Sequence, residues 1–272
     1  MNPLSTTSIL LHLTISKWAG EVTDKSALVV VSKAFSSDTH NDKYKKSLFI
    51  SDPLSLIDRC AGRIRNHFYH DTMSWLDQGR LIPSRNFRDF AIAHKKLKNQ
   101  FYEEVEKFIE AYPEHCELAK QNKGDMYLPH EYPSVEQVRQ KFGITLTTLP
   151  FPTTKDFRVD APEQIIEELK LEMENSLISV GTAVDTEIQG RLVTRLNMLL
   201  STLTTGKRFN SSLLEELQFI IDMGNNLATT TSQKTKDVIT VIEAHILAFT
   251  PEQVRNSQIL QDNIVECCRA LI

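Results

Sequence analysis

The residues most suggestive of chemistry lie in HFYHD, residues 67–71, where two imidazoles three apart adjoin a carboxylate. On a helix, residues i and i+3 share a side, so His67 and His70 can grip one ion with Asp71 as an oxygen donor beside them. A hydrolytic metal needs at least one further ligand, and no HxxxH, ExxH or second HD string stands nearby. His12, His94, His115, His130 and Asp160 can be nominated, but no spacing selects among them. The expectation is therefore no metal and no cofactor, with a metal-dependent hydrolase at His67, His70 and Asp71 kept as an alternative.

His94 replaces an apolar residue within a strong hydrophobic stripe. Burial there favours its neutral form, and a buried imidazole is expected to find partners for both ring nitrogens. His115 and Cys116 adjoin in YPEHCE, but chain neighbours on a helix do not face each other, so no cysteine–histidine nucleophile is expected. TTGKRF (204–209) contains GK without the leading glycine or preceding strand of a phosphate-binding loop, and reads as a helix C-cap. The carboxylates of Glu103–Glu110 and Glu163–Glu174 read as solvated helix faces. No catalytic set emerges, and the chain is expected not to be an enzyme.

The basic residues offer a second chemistry. Lys43, Lys45 and Lys46 flank Tyr44, Arg59, Arg63 and Arg65 follow, Arg80, Arg85 and Arg88 surround RLIPSRNFR, and Lys95, Lys96 and Lys98 come next. Together they can contact phosphates, with Tyr44, Tyr69 or Trp75 as stacking groups. Lys43, Lys45, Lys46, Arg59, Arg63, Arg80, Arg85, Arg88, Lys95 and Lys96 form the candidate nucleic-acid set. No helix-turn-helix or OB-type signature accompanies them.

The elements that must position these groups are mostly helical. Residues 8–17 predict a strand, 24–35 a helix and 36–47 a polar loop. Asp52-Pro53 opens a helix whose stripe is Leu54, Ile57, Ala61, Ile64 and Phe68. After a break at 77–84, Phe90, His94, Leu97, Phe101, Val105, Phe108 and Tyr112 predict a second long helix ending at Tyr112-Pro113. A short helix over 134–142 and two strands within 144–159 follow, the strands pairing with the first. From the near capping box at Asp160, a long helix runs to Gly206 on a stripe from Leu169 to Leu203, and helices at 211–223, 232–248 and 251–270 complete a bundle. The fold is expected to be mainly α (α+β), with a small antiparallel sheet in an N-terminal domain, 1–159, and a helical bundle in 160–272.

Composition agrees with a globular chain: of 272 residues, 41% are apolar and 24% charged, with only 9 glycines and 10 prolines. Residues 1–100 carry 15 Lys plus Arg against 9 Asp plus Glu, whereas residues 101–272 carry 16 against 26. Such polarity suits either an acidic partner or head-to-tail docking of copies. Cys60, Cys116, Cys267 and Cys268 form no CxxC and suit reduced thiols. Neither a signal peptide nor a membrane span is expected, and the location is expected to be cytoplasmic.

LTISKWAG (13–20), KSLFISDPLSLID (46–58), WLDQGRLIP (75–83) and LKNQFYEEVEKFIEAYPE (97–114) are similar to a family found in bacteriophages and integrative mobile elements and labelled only as a domain of unknown function. Trp18, Asp52-Pro53, Gly79 with Pro83, and Phe101, Phe108 and Tyr112 carry the resemblance, with WAG standing where the family has a WSG-like tripeptide. What it implies is genomic company, near MoxR-like AAA+ ATPases and von Willebrand A-type proteins, and host cytoplasm as the setting. The expectation is a non-enzymatic helical interaction or adaptor protein of a phage or mobile element, forming a homo-oligomer or binding a partner such as an AAA+ ATPase. The alternative is a nucleic-acid accessory protein acting through the basic N-terminal face.

Overall fold

The structure, a computed structural model, describes residues 6–36, 43–75, 79–151, 162–206, 209–227 and 231–272. It is mainly helical, with long C-terminal helices and a small four-stranded antiparallel sheet in the N-terminal part. In chain order come β1 (Ser8–Ser16), β2 (Glu21–Thr23), α1 (Lys25–Phe35), β3 (Lys45–Ser47), α2 (Ser55–Asp71), β4 (Met73–Trp75), β5 (Gly79–Pro83), α3 (Phe87–Asn122), α4 (Val135–Arg139), β6 (Gly143–Leu149), α5 (Glu163–Thr204), α6 (Ser212–Asn226), α7 (Gln233–His245), α8 (Pro251–Asn256) and α9 (Gln258–Leu271).

Two compact units divide the chain, and they are not its two contiguous halves. A bundle unit takes Met1–His12, Asp71–Arg88 and Thr148–Ile272, and a paired-helix unit takes Leu13–His70 and Asp89–Thr147. The division expected at 159/160 misses residues near 10 and 80 because their apolar side chains serve the core of the C-terminal helices. Leu10, Met73, Trp75 and Leu81 share one buried cluster with Val180, Val184, Ile188, Leu192, Leu196 and Leu199 of α5. Counted by unit, Lys plus Arg against Asp plus Glu is 14 to 19 in the bundle unit and 17 to 16 in the other. The strong charge polarity along the chain therefore does not divide the units.

The sheet order is β4-β5-β1-β6, with a separate β2-β3 pair. β6 lies beside β1 as the sequence suggests, while the second strand expected within 144–159 falls largely outside the described residues. The break at 77–84 instead holds part of a hairpin, where β4 and β5 pair antiparallel with Trp75 opposite Gly79. A Cβ at Gly79 would sit 2.9 Å from Leu10 Cδ1, so glycine lets the strands approach.

The paired-helix unit packs α2 and α3 through Ile57, Cys60, Ala61, Ile64, Phe101, Val105, Phe108 and Tyr112. Trp18 meets Phe49 edge-on at 5.6 Å and Tyr112 at 5.9 Å. Gly20 turns the chain beneath this cluster at φ +63°, and the Phe49 ring lies 2.8 Å from where its Cβ would be. α3 does not end at Pro113 but continues to Asn122. Anchors on both sides carry it through: the Tyr112 hydroxyl donates to the Pro133 carbonyl at 2.9 Å, and Ala119 is fully buried.

In the bundle unit the seam of α5 packs on Leu217, Ile220 and Ile221 of α6, Ile239 and Ile242 of α7, and Ile264 and Cys268 of α9. The expected box at Thr250 and Gln253 is present in both hydrogen bonds. The single helix expected over 251–270 is two, because Ser257 leaves helical geometry at φ −131° and its side chain accepts from Leu260 N–H to cap α9.

Candidate functional site

The histidines of HFYHD occupy the last turn of α2. His67 stacks on Phe90 of α3 with ring centroids 4.9 Å apart, and its Nε2 lies 3.3 Å from the Phe90 carbonyl oxygen. A carbonyl can only accept, so Nε2 carries the proton and donates. His70 and Asp71 are half-buried. Among the described residues, no group of three or more His, Cys, Asp or Glu side chains is placed to hold a metal ion.

His94 continues the stack, 5.7 Å from Phe90 and 6.4 Å from His67. Its burial follows from the stripe, but neither ring nitrogen has a hydrogen-bond partner, contrary to the expectation of a satisfied core histidine. Burial, then the neighbouring His67 and Lys98, holds its pKa below the usual histidine value.

Two of the candidate phosphate contacts are interior ion pairs. Lys46 is buried, with Nζ 2.8 Å from Glu131 Oε2, 3.6 Å from Asp24 Oδ2 and donating to the Met126 carbonyl at 2.9 Å. Asp24 itself caps α1, and the Ala27 N–H and Ser26 hydroxyl are the main causes that lower its pKa to about 2. In the bundle unit, Glu187 of α5 accepts from Ser74 N–H at 2.7 Å, Arg80 at 3.0 Å and Arg191 at 2.7 Å. Arg80 also donates to Thr72 Oγ1 at 2.7 Å and the Thr72 carbonyl at 2.8 Å. Burial would raise the Glu187 pKa, yet the Ser74 N–H and the two guanidinium groups outweigh it and lower the pKa. Lys46 and Arg80 therefore hold elements together, because their carboxylate partners meet them only in the fold.

The other eight candidates are exposed. Arg85 and Arg88 belong to the bundle unit, and Lys43, Lys45, Arg59, Arg63, Lys95 and Lys96 to the other. Lys45 is 3.3 Å from Glu21 Oε2. Lys95 and Lys96 border an open depression on α3 with Ile92, Asn99, Gln100 and Glu103. All four cysteines are free thiols. Burial raises the pKa of Cys116 and pushes Cys268 up to about 12, which disfavours the nucleophilic thiolate.

The surfaces that stand out are apolar. α1 buries none of its residues, and Val30 and Phe35 are 67% and 78% exposed. The first part of α5, residues 163–179, has no fully buried residue, and although Ile166, Met173 and Leu177 are half-buried, Leu171 and Ile178 are 59% and 70% exposed. Periodicity reveals the α5 seam, but only the fold shows that, among the described residues, its first part is half-buried and not fully covered. No helix among the described residues is long and apolar enough to cross a membrane. Comparison with protein-family models, curated proteins and solved structures returns no match.

Proposed function

We propose that this chain is a non-enzymatic helical interaction protein that associates with itself. The observation that carries this reading is the overhang of α5. Its apolar seam is continuous in sequence from Leu169 to Leu203, yet full burial begins only at Val180, and beside the earlier part Leu171 and Ile178 stand 59% and 70% exposed. Apolar surface held in register on a helix, but left in water, is the mark of a contact surface. The phage or mobile-element setting and an AAA+ partner rest on the resemblance in the N-terminal residues alone.

Light scattering of the full chain across concentration and salt tests the reading, with a nucleic-acid absorbance check on the same sample. A nucleic-acid-free oligomer that grows with concentration is the expected result. A monomer at every concentration that carries nucleic acid, and sheds it in high salt, overturns it. That result would favour the exposed Arg59, Arg63, Lys95 and Lys96 as phosphate contacts instead.

A further inference from the structure

Two helix surfaces with exposed apolar residues, α1 in one unit and the first part of α5 in the other, carry opposite charge. α1 reads KSALVVVSKAF, with Lys25 and Lys33 and no acid. At 100° per residue, Val29, Val30 and Lys33 share one outward side. Three consecutive valines disfavour helix, and a helix of 11 residues is marginal in water by itself. Its internal support is the Asp24 cap, whose Oδ1 accepts from Ser26 and Ala27 N–H at 3.0 Å each. Such a helix needs burial of its apolar side to persist.

Residues 163–179 of α5 present the complementary surface. Ile166, Met173 and Leu177 prolong the seam but are half-buried, Leu177 against the bundle core, whereas the exposed Leu171 and Ile178 lie on the flank that carries Glu163, Glu167 and Glu174. Five glutamates face a single cation, Lys170, over this stretch. Pairing two such stretches would set like charges against each other, whereas α1 brings only lysines. Charge thus selects α1 as the occupant.

We propose that α1 of one copy docks on the first four turns of α5 of a second copy, and that the two copies exchange this contact about a twofold axis. Exchange covers both faces in both chains and closes the assembly, whereas a one-way contact would leave free ends and grow filaments. The proposal deepens the self-association reading and rests on it.

A charge-swap experiment decides the matter. One full-length variant carries Lys25→Glu and Lys33→Glu, and the other carries Glu167→Lys, Glu172→Lys and Glu174→Lys. All five positions are exposed, and circular dichroism checks that helix content is kept. Sedimentation at low salt should show a wild-type dimer and, for each variant alone, association weakened by about tenfold or more. An equimolar mixture should restore the dimer, since each chain then offers a partner of opposite charge. Variants that dimerise like wild type overturn this surface but leave self-association standing. A strictly monomeric wild type overturns both. Loss in each variant without recovery on mixing also overturns the proposal, as a contact within one chain would behave so. A monomer that binds vesicles of anionic lipid through α1, and loses that binding on Val30→Glu, would assign the helix to a membrane surface instead.

Discussion

His94 sits in an apolar neighbourhood with two ring nitrogens that meet no partner, and the buried atoms make that costly. An unsatisfied buried polar group costs about 1–3 kcal/mol, and adding a proton would place a charge beside His67 and Lys98. The folded-state pKa is therefore depressed below 6.5, while the unfolded chain takes up its proton near the ordinary value. Between those two pH values the unfolded state binds more protons, so this contribution to stability is full above about 6.5 and shrinks as pH falls towards the folded pKa. The melting temperature should drop between roughly pH 7 and pH 5 by this route. His94→Leu should flatten that part of the profile and raise stability near neutrality by on the order of 1 kcal/mol. An unchanged slope in the variant would show that other groups carry the acid sensitivity. The stripe around His94 tells of burial from sequence alone, because burial follows periodicity. Partners do not follow it: Arg80 meets Glu187 across 107 residues of chain.

Elements were most legible where one periodic signal ran uninterrupted, as in α2, α3 and the buried part of α5. They were least legible where a local signal competed with tertiary anchoring. Pro113 ends a helix in the sequence reading because it lacks an N–H and its ring crowds the preceding turn. In the fold, aromatic packing of Phe108 and Tyr112 before it and burial of Ala119 after it outweigh that loss. Ser257 is the opposite case, since no glycine or proline announces the break and the capping hydroxyl becomes decisive only once α9 turns away. Pro113 is exposed, so replacing it removes no core contact. Pro113→Ala should restore the missing backbone hydrogen bond and stabilise the chain by on the order of 2 kcal/mol, part of the roughly 3 kcal/mol helix cost being offset by a freer unfolded chain. A urea midpoint that fails to rise would mean that the ring is needed to set the path of α3.

At the scale of the molecule, the unit boundaries are the feature least visible in sequence. The chain changes unit at His12, His70, Arg88 and Thr147, each inside or beside a regular element, so no linker marks a boundary. The segment 160–272 looks self-sufficient because its helices supply most of one core. That core nonetheless includes Leu10, Met73, Trp75 and Leu81, three of them from the paired strands β4 and β5, of which sequence patterning reads β5 as a break and gives no strand at β4. Burying one large apolar side chain contributes about 1.5–3 kcal/mol, against a net stability of about 5–15 kcal/mol for a typical domain. Residues 160–272 expressed alone would lose all four, and Glu187 would lose the Ser74 N–H and Arg80 while keeping Arg191. The isolated segment should therefore keep helical circular dichroism but bind a hydrophobic dye and unfold over a broad range. In the intact chain, Trp75→Ala should cost about 3–5 kcal/mol. A segment 160–272 that unfolds as sharply as the whole chain, at the same denaturant midpoint, would show that the hairpin merely rests on a core already complete without it.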